Sequence, residues 1–205
     1  MSGNILLRKR EVISRGHGAL ERLIVERKRF DGGSQSLARE VYDSGDGAAI
    51  LLYDPKSTRV VLVRQFRITA YLRDGLESMI EVCAGRLEGE DAEHRIIKEA
   101  EEETGFLVQK PRRVFEAYMS PGCFVEKLTF FVAEYAPRHR TSKGGGRDDE
   151  GEDIEILEPT LDQALEMVRR GEIIDAKTIL LLQYAKLTGL MGGDNASVRG
   201  TAAAP

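Results

Sequence analysis

Three glutamates near the middle of the chain, Glu99, Glu102 and Glu103, recur at i, i+3 and i+4. On a helix that spacing puts all three carboxylates on one face, within about 6 Å of each other. Like charges so placed repel by about a few tenths of a kcal/mol per pair, and a hard divalent cation would remove the repulsion. Mg²⁺ prefers oxygen ligands, keeps several of its waters, and commonly bridges one or two carboxylates to phosphate oxygens. A solvated acidic helix face explains the same pattern, so the three glutamates alone do not decide between the two.

The elements that must position them can be read from periodicity and punctuation. The glutamates fall in a predicted helix from about Asp91 to Thr104, which stops at Gly105, a residue that takes the left-handed C-terminal conformation without a Cβ clash. A second predicted helix opens on the capping-box pattern Thr160-Leu161-Asp162-Gln163 and ends before Gly171. A third, about Ala176 to Thr188, is apolar on most sides and is expected to pack deeply or to sit in a subunit interface. Strands fill the rest. Residues 20–30 and 36–43 flank Asp31-Gly32-Gly33 and read as a hairpin; Ala48 to Tyr53 and Arg59 to Arg64, joined by Asp54-Pro55-Lys56, read as central antiparallel strands. Further strands are expected at Met79 to Cys83, Arg113 to Tyr118, Lys127 to Tyr135 and Ile154 to Leu157. Residues 141–151 form a glycine-rich acidic loop, too hydrophilic to pack, with Gly144-Gly145-Gly146 as a hinge. This order predicts an α+β fold, a mixed β-sheet sandwiched between helices with an N-terminal antiparallel β extension. The expected division is an extension at 1–44, a catalytic domain at 45–190 and a disordered tail at 191–205.

Composition narrows the partner. Lys+Arg 30 against Asp+Glu 34 leaves a formal charge of -4, which provides no general basic surface for a nucleic-acid backbone and favours a small phosphorylated metabolite. Cys83 and Cys123 have neither metal-ligand spacing nor a disulfide framework and read as buried free thiols of a reducing cytoplasm. No stretch approaches a membrane span, and no apolar leader follows Met1, so a soluble cytoplasmic protein is expected.

The full spacing around the glutamates resembles the Nudix box: G, five residues, E, seven residues, then R-E-U-x-E-E-x-G-U, with U apolar. Lys98-Glu99-Ala100-Glu101-Glu102-Glu103-Thr104-Gly105-Phe106 fits its second half, with Lys98 replacing Arg. The first half departs from the pattern. Counting back from Lys98 puts Glu90 at the glutamate and Ala84 at the glycine, whereas starting from Gly85 puts Asp91 at the glutamate and leaves the box one residue short. Further stretches, among them Arg39-Glu40-Val41-Tyr42-Asp43, Val63-Arg64-Gln65-Phe66-Arg67 and Ile80-Glu81-Val82-Cys83-Ala84-Gly85, are similar to the nucleoside-diphosphate-sugar branch of that family, most of all to its GDP-mannose pyrophosphatases.

The resemblance implies a homodimeric hydrolase that splits GDP-mannose into GMP and mannose 1-phosphate, with ADP-ribose, giving AMP and ribose 5-phosphate, as the alternative substrate. A catalytically silent nucleotide-sugar-binding module is the reading from a different class. The implied cofactor is Mg²⁺, or Mn²⁺ in its place, held by Glu99, Glu103, the Ala84 carbonyl and Glu152. Glu102 would complete the metal shell or orient a water. Glu152 matches the loop glutamate of the family best and Glu150 is second choice. His17, Arg39, Glu40, Arg67 and Glu126 fall at implied substrate contacts. The apolar residues Leu20, Leu23, Ile24, Val25 and Phe30 exceed what an isolated hairpin can bury, which independently points to a dimer.

Overall fold

A computed structural model describes residues 4–147, 149 and 151–192 of the chain. The sheets are two. The first is three-stranded, in the order β1-β2-β3, from β1 (Ile5–Arg15), β2 (Ala19–Lys28) and β3 (Ser34–Asp43), all antiparallel. The hairpin expected around Asp31-Gly32-Gly33 is β2 and β3, closed at Lys28↔Ser34 with Gly32 at a φ of 87°, where glycine costs least. β1 was not expected. Its apolar residues come in clusters, Ile5-Leu6-Leu7 and Val12-Ile13, rather than alternating, and every residue of the strand is exposed.

By its internal contacts the chain separates into two units. One is Met1–Gly47 with Glu116–Leu128, the other Ala48–Phe115 with Thr129–Pro205. In the first unit Tyr42 joins the later segment to β3: its N–H donates to the Cys123 carbonyl at 2.7 Å, its carbonyl accepts from Val125 at 2.9 Å, and its ring meets Phe124 edge-on.

The second sheet has seven strands. Its path is β10-β5-β4-β9-β8, with β6 on β5 and β7 on β4. These are β4 (Gly47–Asp54), β5 (Arg59–Gln65), β6 (Met79–Glu81), β7 (Cys83–Arg86), β8 (Arg112–Tyr118), β9 (Lys127–Glu134) and β10 (Glu155–Leu157). The helices are α1 (Ile68–Asp74), α2 (Ala92–Thr104), α3 (Leu161–Arg169) and α4 (Ala176–Leu187). β4 is buried almost throughout because its sheet is covered on both faces. Ala48, Ile50 and Leu52 point to the face where Ile96 and Ala100 of α2 pack with Val61, Phe131 and Ala133. The intervening Ala49 and Leu51 are as fully buried, and on that opposite side Phe115 links Phe130 to Tyr184 of α4. Among the described residues no helix is long and apolar enough to cross a membrane.

Differences from expectation have local causes. The stretch Met79 to Cys83 breaks into β6 and β7, which pair with different neighbours. α1 buries none of its residues and no side chain caps its start, so no periodicity announced it. Of the two free thiols, Cys83 is buried but Cys123 is exposed, because its segment lies on the surface beside β3. Leu180 and Leu187 of α4 are likewise exposed. The expected disordered tail lies outside the described residues from residue 193 onward.

Candidate active site

The site is built around α2, and at its start the two residues that compete for the first half of the box make different contacts. Asp91 is the N-cap, its carboxylate accepting from the Glu93 and His94 N–H groups. Glu90 instead accepts from Lys98 Nζ and pairs with His94 Nδ1, both at 2.9 Å, and the lysine contact holds its carboxyl below the usual range. Lys98, standing where the pattern has Arg, thus ties the turn before the helix to the helix itself. At the far end Gly105 has the expected left-handed backbone, with φ 73°.

From this frame Glu99 and Glu103 point inward and Glu102 is half-buried. Glu103 is 1% exposed, and burial pushes its carboxyl up to about 8; the Cys83 thiol, donating to it, works against that shift, and Glu99 and Glu152 add to it. Burial, and then the Glu103 charge, push the Cys83 thiol far up in turn. Glu99 is raised by burial too, although Arg95 pairs with it.

Two features suit this face to a cation. Glu103 Oε2 is buried with no hydrogen-bond partner among the described residues, an arrangement that usually costs about 1–3 kcal/mol. A Cβ on Gly85 would fall 2.2 Å from Glu99 Oε1 and 2.3 Å from its carboxyl carbon, so only glycine there lets that carboxylate lie against the backbone that follows Ala84. The residues therefore fit a hard divalent ion. Among the described residues no three His, Cys, Asp or Glu side chains converge closely enough to hold one unaided. Waters and phosphate oxygens commonly complete the shell of such an ion beside one or two carboxylates.

The glycine-rich loop packs after all. Gly145 and Gly146 donate their N–H groups to the carbonyls of Glu103 and Glu102 at 2.9 and 3.1 Å, so the loop caps the C-terminal end of α2. A Cβ on Gly144 would meet the Glu103 carbonyl at 2.6 Å. Glu152, half-buried, accepts from the Arg147 N–H at 2.9 Å and is close enough to raise both Glu99 and Glu103. Glu150 lies outside the described residues.

A cavity of about 480 Å³ opens beside Glu152 and is lined by Arg64, Phe66, Arg67, Glu77 and Ser78 among others, within the usual size for a small-molecule site. Arg67 is aimed by Glu81, which is 3% exposed and accepts from Arg67 Nε at 2.6 Å on one oxygen and from Lys177 on the other. Lys177 also binds Asp175 at 2.8 Å; Asp175 caps α4 through Thr178; and Thr178 Oγ1 accepts the Val82 N–H at 2.8 Å. This chain of contacts fixes the strand that leads into Ala84. Periodicity missed it, since Glu81 is nearly a hundred residues from Asp175, Lys177 and Thr178, and only the polar Glu81 between apolar Ile80 and Val82 hinted at a buried partner.

The remaining expected site residues lie in the first unit. His17 and Arg39 are exposed, Glu40 is exposed and accepts from Arg22 Nη2 at 2.6 Å, and Glu126 is half-buried.

Comparison with known proteins agrees with this geometry. The model of the NUDIX domain matches residues 43–182. A GDP-mannose pyrophosphatase of Klebsiella pneumoniae subsp. pneumoniae is 46% identical over 196 residues, covering 95% of this chain and 98% of the relative. One from Salmonella arizonae is 47% identical over 193 residues, covering 94% and 100%. The crystal structure of an ADP compounds hydrolase superposes with a TM-score of 0.68 at 17% identity, over 91% of this chain and 96% of that one, a likeness of fold. With the box helix, the glycine its carboxylate needs and the domain match falling on the same residues, this chain belongs to the NUDIX family.

Proposed function

We propose that the chain is a divalent-metal-dependent pyrophosphohydrolase of nucleoside diphosphate sugars, with GDP-mannose as substrate and GMP and mannose 1-phosphate as products. The observation that carries this reading is the pair Glu99 and Glu103 on the inner face of α2, one with an orphaned buried oxygen and the other seated against Gly85. Similarity along 98% and 100% of two GDP-mannose pyrophosphatases supports the substrate.

In this reading Glu99, Glu103, the Ala84 carbonyl and Glu152 hold Mg²⁺, or Mn²⁺ in its place. When bound, the cation neutralises the diphosphate and acidifies the attacking water. Glu102 orients that water, and Glu152, or Glu150 in the same loop, takes its proton. Arg67, fixed by Glu81, forks onto phosphate oxygens at the cavity, as guanidinium geometry favours. His17, Arg39, Glu40 and Glu126 contact the nucleotide sugar. Free Cys83 and Cys123 accord with a cytoplasmic protein.

The test is Mg²⁺-dependent hydrolysis of GDP-mannose, ADP-ribose and NADH with products separated by chromatography. GMP and mannose 1-phosphate should form fastest. AMP and ribose 5-phosphate as the fastest products would move the substrate to ADP-ribose and leave the site unchanged; no turnover of any of them would favour a binding module.

The first unit serves dimerisation in the same reading. β1 is an eleven-residue strand with one edge unpaired among the described residues and exposes Ile5 at 66% along with Leu6, Leu7, Val12 and Ile13. Such an apolar edge invites a partner. Light scattering at micromolar concentration should return twice the chain mass; a monomeric mass would sink this role.

A further inference from the structure

The acidic face of α2 already carries a cation of its own. Arg95, one turn before Glu99, sets its guanidinium on the Glu99 carboxylate, and a second nitrogen comes to 4.0 Å of Glu90. Glu88 and Glu102 also act on it through space. The side chain is 13% exposed and its Nε is buried without a hydrogen-bond partner among the described residues, so the guanidinium is held there with a donor left unpaired by them. Support of the helix explains little of it, because a cation preceding its anion at i, i+4 is the weaker order.

The same carboxylate is the one that Gly85 leaves room for, beside the orphaned oxygen of Glu103. A divalent ion needs direct access to a carboxylate lone pair, and the Arg95 nitrogen on Glu99 Oε1, the oxygen that lies against Gly85, competes for that oxygen by bulk and by charge. Resting on the metal reading above, we propose that Arg95 is an internal counter-cation that competes with a divalent ion for Glu99 Oε1 and must release that oxygen for the ion to take it. Its retreat is provided for, since Glu90 already lies at 4.0 Å and can receive the guanidinium. By linkage, metal affinity is then lowered by whatever the Arg95–Glu99 pair contributes to the metal-free state. Arg95 is thereby a positioning residue that sets the cation concentration at which the site fills.

The direction of the effect separates this role from a structural one. Damage to a site weakens binding, whereas removal of a competitor tightens it. Mn²⁺ binding to the full chain, stripped with a chelator, is read from the loss of the free-ion paramagnetic resonance signal, with circular dichroism as the check on folding. Arg95→Gln should bind Mn²⁺ about tenfold more tightly than the parent, a gain of the size expected for freeing a mostly buried carboxylate. Its melting temperature should be lower without metal and should converge on the parent's at saturating Mn²⁺. Arg95→Lys, the milder change if glutamine is not tolerated, keeps the charge, loses the fork and should lie between the two. Equal or weaker binding by a folded variant overturns the proposal and leaves Arg95 a fixed strut. Absence of Mn²⁺ binding by the parent overturns the metal reading itself, and this proposal with it.

Discussion

Glu103→Gln should lower turnover by more than about a hundredfold, beyond the 10–100-fold typical of residues that only support a metal ligand, while making the metal-free protein more stable. Both effects have one origin. Glu103 is buried, its Oε2 has no partner among the described residues, and burial raises its carboxyl from 4.5 to about 8. In the metal-free protein the folded state therefore holds a proton that the unfolded chain releases above 4.5. Stability is fully present below the unfolded value and falls as pH rises towards about 8. A divalent ion favours the charged carboxylate and should flatten that slope. Glutamine has nothing to titrate, so at pH 8 without metal the variant should melt roughly 5 °C above the parent, and added Mg²⁺ should move it little. Melting curves from pH 5 to 8, with and without Mg²⁺, check the stability claim, and steady-state kinetics check the turnover. A parent whose melting temperature rises over that range without metal would contradict the burial argument, and near-normal turnover in the variant would refute the metal assignment.

Gly85→Ala is the smallest change expected to disable the site. The added Cβ would sit 2.2 Å from Glu99 Oε1 and 2.7 Å from Cγ. The clash is with a side chain, so the fold can yield, but it yields by moving the carboxylate that the cation needs. We expect a folded protein by circular dichroism with Mn²⁺ affinity and turnover both reduced by about 10–100-fold, comparable to the loss of an orienting partner. Unchanged Mn²⁺ affinity in the alanine variant would show that Glu99 does not need this approach to bind metal.

These two residues show how differently the sequence expressed its parts. Glu99, Glu102 and Glu103 were legible because helical spacing is a local rule and the Asp91 and Gly105 caps bound the segment on both sides. The capping box of α3, the hairpin of β2 and β3 and the central pair β4 and β5 were legible for the same reason, since their signals lie within a few residues of the structure they specify. Gly85 was visible only as a disputed position in a motif, and its purpose appears once β7 runs beside α2.

Charge and composition by themselves argued for a small phosphorylated ligand, and the box gave the family. Tertiary structure decided the rest. It assigned Glu90 to Lys98 and Asp91 to the helix N-cap, where counting left either possible. It folded the glycine run onto the carbonyls of Glu102 and Glu103, although its hydrophilicity suggested a loop that would not pack. It also joined Glu81 to Lys177, Asp175 and Thr178 across nearly a hundred residues. A backbone N–H that needs an acceptor, or a buried carboxylate that needs a cation, takes whichever partner the fold brings near. The sequence records the need at each position, and only the packed chain determines what meets it.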